Sequence, residues 1–236
     1  MKLLLAFLFT AITTGAAAQT VINDRNAVVR NVGAFSGIDV SNAIDLYISQ
    51  SDEYSLAVSA SEEKYRDAIK TEVRDGVLHI WYEELRNFRF SGNLHLKAYV
   101  SFKELSKLTG SGAANIKIAG TLKAPTLKLK LTGACEIVGV VQIGDMDVTM
   151  SGASTSRLKG NIENLKVDAS GASDIKDYGL IVGHCKATLS GASDARLTVE
   201  KSISVRASGA SSFYYKGNPE KKDISESGAS SISKRD

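Results

Sequence analysis

Residues 151–211 read SGASTSRLKGNIENLKVDASGASDIKDYGLIVGHCKATLSGASDARLTVEKSISVRASGAS, and the reading of this stretch decides the fold. The tetrapeptide SGAS begins at Ser151, Ser170, Ser190 and Ser208, and recurs downstream at Ser227. Upstream it continues as TGAC at Thr132 and SGAA at Ser111. The seven glycines (Gly112, Gly133, Gly152, Gly171, Gly191, Gly209, Gly228) are spaced by 21, 19, 19, 20, 18 and 19 residues. Between them apolar and polar residues alternate, as in Leu165-Lys166-Val167-Asp168-Ala169 and Ile203-Ser204-Val205-Arg206-Ala207. Strict period two marks half-buried strands. No repeat carries a 3.6-residue pattern, which excludes helical solenoids. A second glycine falls mid-repeat at Gly120, Gly139, Gly160, Gly179 or Gly217. Strand and turn alternating at a short constant period predict an all-β chain, a parallel β-solenoid of seven rungs. At about 4.8 Å per rung the coil would be roughly 30 Å long.

The tetrapeptide is explained by this geometry. Glycine supplies the left-handed backbone of a tight corner, and small neighbours let successive rungs approach. Seven equivalent serines are not seven nucleophiles, and the GxSxG elbow is absent.

Residues 19–105 differ from the repeats at 106–236 without a linker between them. Strands are expected over 35–40, 44–48, 54–58, 77–82 and 95–100. Asp75-Gly76 reads as a hairpin turn. Residues 61–70 read as a short helix with Ser61 as its N-cap. Ser41-Asn42-Ala43 looks like a degenerate corner, since asparagine tolerates left-handed angles.

Residues 1–18, MKLLLAFLFTAITTGAAA, have the layout of a secretory signal peptide: one lysine, an apolar run, then small residues. An exported protein is expected, with no membrane span in the mature chain. Export permits a disulfide, but Cys135 and Cys185 occupy different phases of the repeat, and two buried free thiols are the favoured reading. With 29 Lys+Arg against 26 Asp+Glu, the net charge of +3 gives no case for nucleic acid. A 43% hydrophobic content excludes wholesale disorder.

The order F-x-G-I-D-V-S-x-A-I-D-L-Y-I (residues 35–48), then IKTEVRDGVLHI (69–80), then SGAS rungs resembles the GIN-domain family. That family is described as head domains of autotransporter adhesins among exported proteins of Gram-negative bacteria. The resemblance covers residues 28–231. It implies a two-part, right-handed, β-helix-like fold in the cell envelope, and it brings no catalytic residues.

Two constellations could carry chemistry. The third residue after each repeat glycine forms a column: Asn115, Glu136, Thr155, Asp174, Asp194, Ser212, Ser231. Asp174 and Asp194 would lie on adjacent rungs about 5 Å apart, close enough to share a cation such as Ca²⁺ or to serve a polysaccharide lyase or hydrolase. The bland alternative is a pair of solvated corners. Secondly, Trp81, Tyr82, Phe88, Arg89 and Phe90 could stack on sugar rings, or could cap the coil and fill its core. His79, His95 and His184 lack metal spacing, and Asp145/Asp147 alternate like any exposed strand face. The C-terminal rung, flanked by Lys221, Lys222, Lys234 and Arg235, could pair weakly with a second copy. No cofactor is indicated. These observations favour an exported, non-enzymatic, adhesin-like scaffold binding surface glycans or envelope proteins. A Ca²⁺-dependent lyase or hydrolase at Asp174/Asp194 and a self-assembly module are the alternatives.

Overall fold

The computed structural model describes residues 7–8, 21–22, 24–83 and 94–236. Within the expected leader only β1 (Phe7–Leu8) is described, paired antiparallel with β2 (Val21–Ile22). Phe88, Arg89 and Phe90 lie outside the described residues.

The N-terminal part runs through β3 (Val28–Arg30), β4 (Gly37–Val40), β5 (Asp45–Gln50), β6 (Ser55–Ser59), α1 (Glu63–Ala68), β7 (Ile69–Arg74), β8 (Val77–Tyr82) and β9 (Lys97–Phe102). The hairpin forms as its dipeptide dictates: β7 and β8 are antiparallel, and Asp75 and Gly76 take φ of 53° and 72°. The helix is shorter than its charge pattern suggests. The Ser61 hydroxyl donates to the Leu94 carbonyl instead of capping, and Ile69 turns extended to begin β7. His95 precedes β9 and has a positive φ of 39°, so it is a bend residue and not a sheet-face one.

The repeats follow as β10 (Lys107–Gly112), β11 (Asn115–Gly133), β12 (Glu136–Gly152), β13 (Thr155–Ala169), β14 (Asp174–Leu189), β15 (Asp194–Ala207), β16 (Ser212–Lys216), β17 (Lys221–Glu226) and β18 (Ser231–Lys234). From β10 onward each strand pairs parallel with its neighbours. The expected mid-repeat break is a bend within one long strand, so β11 to β15 each wrap most of a coil. The N-terminal part joins the same sheet: β10 lies between β4 and β11, and β5 pairs with β11.

Three inward stretches of each coil build the core. In β13 they are Ser156 and Leu158, then Ile162, then Leu165, Val167 and Ala169. Rungs stack large on small: Gly110, Leu131, Met150, Ala169, Leu189 and Ala207 form one buried column. Beyond Phe102 the only buried aromatic residues among the described ones are Phe213 and Tyr215, near the last rungs; aliphatic side chains dominate the interior, with small serines and two cysteines among them. Each fully buried leucine or valine contributes about 1.5–3 kcal/mol.

The corners show why the tetrapeptide repeats. At Gly171, φ is 75°, and the next amide, Ala172 N–H, donates to the Gly152 carbonyl one rung below at 2.7 Å. A Cβ on Gly171 would stand 2.5 Å from that same oxygen. The fourth residue points inward, and at Ser154, Ser173 and Ser211 its hydroxyl donates to the carbonyl three residues back, at 3.0 Å, 2.9 Å and 2.8 Å. Serine there closes its own corner, whereas the buried Ser193 hydroxyl has no partner among the described residues. Asn42, φ 67°, occupies the corner position below Gly112 and accepts the Ala113 amide at 2.9 Å.

Candidate functional site

Each corner joins two outward faces. One follows the corner and holds the carboxylate column. The other precedes it, at the residues five and three before each repeat glycine.

On the first face Asp174 and Asp194 are direct partners across β14 and β15, as their spacing predicts. Each carboxylate, however, is claimed by a cation two residues along its own strand. Lys176 Nζ stands 2.7 Å from Asp174, and Arg196 is 3.5 Å from Asp194. The same closure runs down the column. Asn115 Nδ2 donates to Asp45 at 2.9 Å, and Arg157 Nε donates to Glu136 at 2.6 Å. Arg196 also lies over the Tyr214 ring at 5.4 Å, and Lys117 over Tyr47 at 5.2 Å. Asp174 and Asp194 are thus brought together but neutralised from the side. Among the described residues no group of three or more His, Cys, Asp or Glu side chains could hold a metal ion.

The second face is a largely parallel sheet in which two columns stand outward in register. The outer column runs Lys107, Lys128, Asp147, Lys166, Lys186, Ser204 and Asp223. The inner one runs Glu72, His79, Asp39, Thr109, Lys130, Thr149, Asp168, Thr188 and Arg206. Lys166 pairs with Asp168 at 3.3 Å and Arg206 with Asp223 at 3.8 Å. Lys107, Lys128, Lys130 and Lys186 make no ion pair among the described residues.

Three shallow grooves follow one another along this face. The first, about 390 Å³, is lined by Asp39, Ser41, Glu72, Arg74, His79 and Trp81. His79 Nδ1 lies 3.7 Å from Asp39 there. The second, about 280 Å³, holds Lys107, Lys128, Lys130 and Lys166 against Asp147 and Asp168. The third, about 420 Å³, includes Asn164, His184, Lys186 and Ser202. At its edge Lys201 donates to Glu163 at 2.6 Å, and that ammonium holds the Glu163 carboxyl below its ordinary value.

The aromatic cluster divides. Trp81 is half-buried on the outward side of β8 and lines the first groove, whereas its neighbour Tyr82 is 7% exposed and belongs to the core. Adjacent strand residues face opposite sides, so the two rings do not form one platform. The lysine columns carry no repeated motif, unlike the tetrapeptide. The available signal was the pair of positions five and three before each repeat glycine, which change from rung to rung.

Both cysteines are free and buried. Burial pushes the Cys185 thiol up to about 12, and it also raises Cys135, whose Sγ donates to the Thr132 carbonyl at 3.4 Å. These are structural thiols.

The described residues form a parallel β-solenoid with polar outward faces and shallow grooves. The chain belongs to the family described as "Putative auto-transporter adhesin, head GIN domain", which matches residues 34–219. Solved structures share the fold. A protein of Bacteroides fragilis titled a putative adhesin is 20% identical, with TM-score 0.79, covering 89% of this chain and 96% of its own. One of Parabacteroides merdae with the same title is 17% identical, with TM-score 0.72, covering 89% and 95%. A Parabacteroides distasonis protein titled a putative lipid binding protein is 18% identical, with TM-score 0.66, covering 88% and 97%. No curated protein matches the chain in sequence. Among the described residues no helix is long and apolar enough to cross a membrane.

Proposed function

We propose that the protein is an exported, non-enzymatic, adhesin-like component of the cell envelope whose solenoid presents a face for a surface glycan or envelope protein. The observation that carries this reading is the second face: register-aligned lysines and hydroxyls on consecutive rungs, with three open grooves in line. Such a surface suits an extended ligand held at many shallow points. Lys2, the apolar run from Leu3 to about Ile12 and the small residues Ala16-Ala17-Ala18 support export. A lyase or hydrolase at Asp174 and Asp194 is disfavoured because Lys176 and Arg196 already occupy both carboxylates. The test is incubation of the purified protein with a panel of insoluble polysaccharides, scoring retained protein and released reducing ends, with Ca²⁺ and with chelator. Retention without release is expected. Release that disappears in chelator would reject the non-enzymatic reading.

A further inference from the structure

We infer that the occupant of the second face is an acidic polysaccharide, its chain running along the solenoid axis across Lys107, Lys128, Lys130 and Lys186. The inference rests on the glycan-binding reading above and assigns it a ligand class and named contacts.

Charge comes first. Lys107 and Lys128 are directly opposed in register, and so are Lys166 and Lys186. Like charges facing each other on neighbouring strands are unfavourable. On the first face comparable positions are relieved internally, by Arg157 on Glu136 and Lys176 on Asp174. Of Lys107, Lys128, Lys166 and Lys186 only Lys166 has an acid within pairing distance, Asp168, and farther along the face Arg206 pairs with Asp223. The remaining ammonium groups are left for an anion from outside.

The pattern also selects the kind of anion. Asp147 sits between Lys128 and Lys166, and threonines Thr109, Thr149 and Thr188 separate the charges of the inner column. A chain of uronic acids carries a carboxylate and hydroxyls on every sugar, so it can meet the lysines with carboxylates and Asp147, Asp168 and the threonines with hydroxyls. A DNA backbone has a phosphate at every unit but no hydroxyls to give the two aspartates. Rungs repeat every ~4.8 Å, close to the length of one sugar ring, so successive sugars can meet successive rungs. Side chains stand roughly perpendicular to a sheet, and this makes a comb of contacts in place of a deep pocket. At one end Trp81 lines the first groove and offers a partly exposed ring to a sugar face.

The test measures affinity of the purified protein for polygalacturonate, for fully methyl-esterified polygalacturonate and for single-stranded DNA. It compares Lys107→Gln/Lys128→Gln/Lys130→Gln with a control of equal charge change elsewhere, Lys117→Gln/Lys123→Gln/Lys159→Gln. All six lysines are exposed, so folding survives in both variants. Binding to polygalacturonate should weaken with salt, fall roughly tenfold in the first variant and hold in the control. The ester should bind poorly. Equal losses in the two variants would overturn the assignment to this face. Equal binding of acid and ester would overturn the charge inference and leave the glycan reading standing. Tighter binding to DNA would overturn the ligand class, and no binding to either polysaccharide would count against both readings.

Discussion

The two outward faces of the coil are built from the same backbone, the same alternation and the same register, yet they differ in where their charges end. After the corner, carboxylates and cations meet within the molecule: Asp174 with Lys176, Asp194 with Arg196, Glu136 with Arg157. Before the corner, Lys107, Lys128, Lys130 and Lys186 stay open among the described residues. The lesson is that stacking charged residues does not by itself make a site. What matters is whether the same face already supplies the partner.

The corner holds both faces, so breaking it should remove the contrast altogether. Gly171→Ala forces a side chain into left-handed backbone, worth about 1–2 kcal/mol of strain. It also drives Cβ to 2.5 Å from the Gly152 carbonyl, which is fixed by the Ala172 amide. The thermal midpoint should fall further than in Leu189→Ala, where a cavity under the lysine face costs about 2–5 kcal/mol. Calorimetry ranks the two. Cys135 and Cys185 give an independent readout: both thiols should resist an aromatic disulfide reagent in the native protein and react fully on unfolding.

The carboxylate pair sharpens the comparison from the other side. Asp174→Asn with Asp194→Asn removes two half-exposed ion pairs, so stability should change by about 1 kcal/mol or less. Polysaccharide binding should be unchanged or slightly stronger. A loss of binding comparable to that of the lysine variant would erase the distinction between the faces.

A smaller effect concerns neither face and serves as a background. Asp24 ties the N-terminal segment to the sheet: Tyr99 donates to it at 2.8 Å and Ser59 at 3.0 Å, with Lys97 3.6 Å away. Burial pushes the Asp24 carboxyl up, but the Tyr99, Asn26 and Ser59 hydrogen bonds and the Lys97 charge outweigh it, and the net direction is down. Burial and then Asp24 raise the Tyr99 phenol correspondingly. A carboxyl lowered in the folded state stabilises fully above its unfolded value of about 3.9. That contribution is lost as pH falls through the lower folded value. Asp24→Asn should therefore cost under about 1 kcal/mol near neutrality and nothing at strongly acid pH, as thermal midpoints at several pH values would show.

The solenoid was legible in the sequence because its corners admit so few residues that the tetrapeptide recurs almost unchanged. The hairpin at Asp75-Gly76 and the corner at Asn42 were legible for the same reason, left-handed backbone. The ends of the helix were not: Ser61 had a competing acceptor in Leu94, and only the tertiary fold supplies it. Nor could alternation say that Tyr82 enters the core while Trp81 lines a groove. That depends on which face of β8 meets the coil. The spacing of the repeats places Asp174 beside Asp194, but it does not show that Lys176 and Arg196, two residues along each strand, turn back onto the carboxylates.

The most direct test of the contrast is lysine footprinting: acetylation rates, read by mass spectrometry, with and without bound polygalacturonate. Protection at Lys107, Lys128, Lys130 and Lys186, with Lys117, Lys159 and Lys176 unchanged, is the predicted result. Protection of Lys117, Lys159 and Lys176 while Lys107, Lys128 and Lys130 react freely would place the ligand beyond the corner, off the lysine face, and contradict the account.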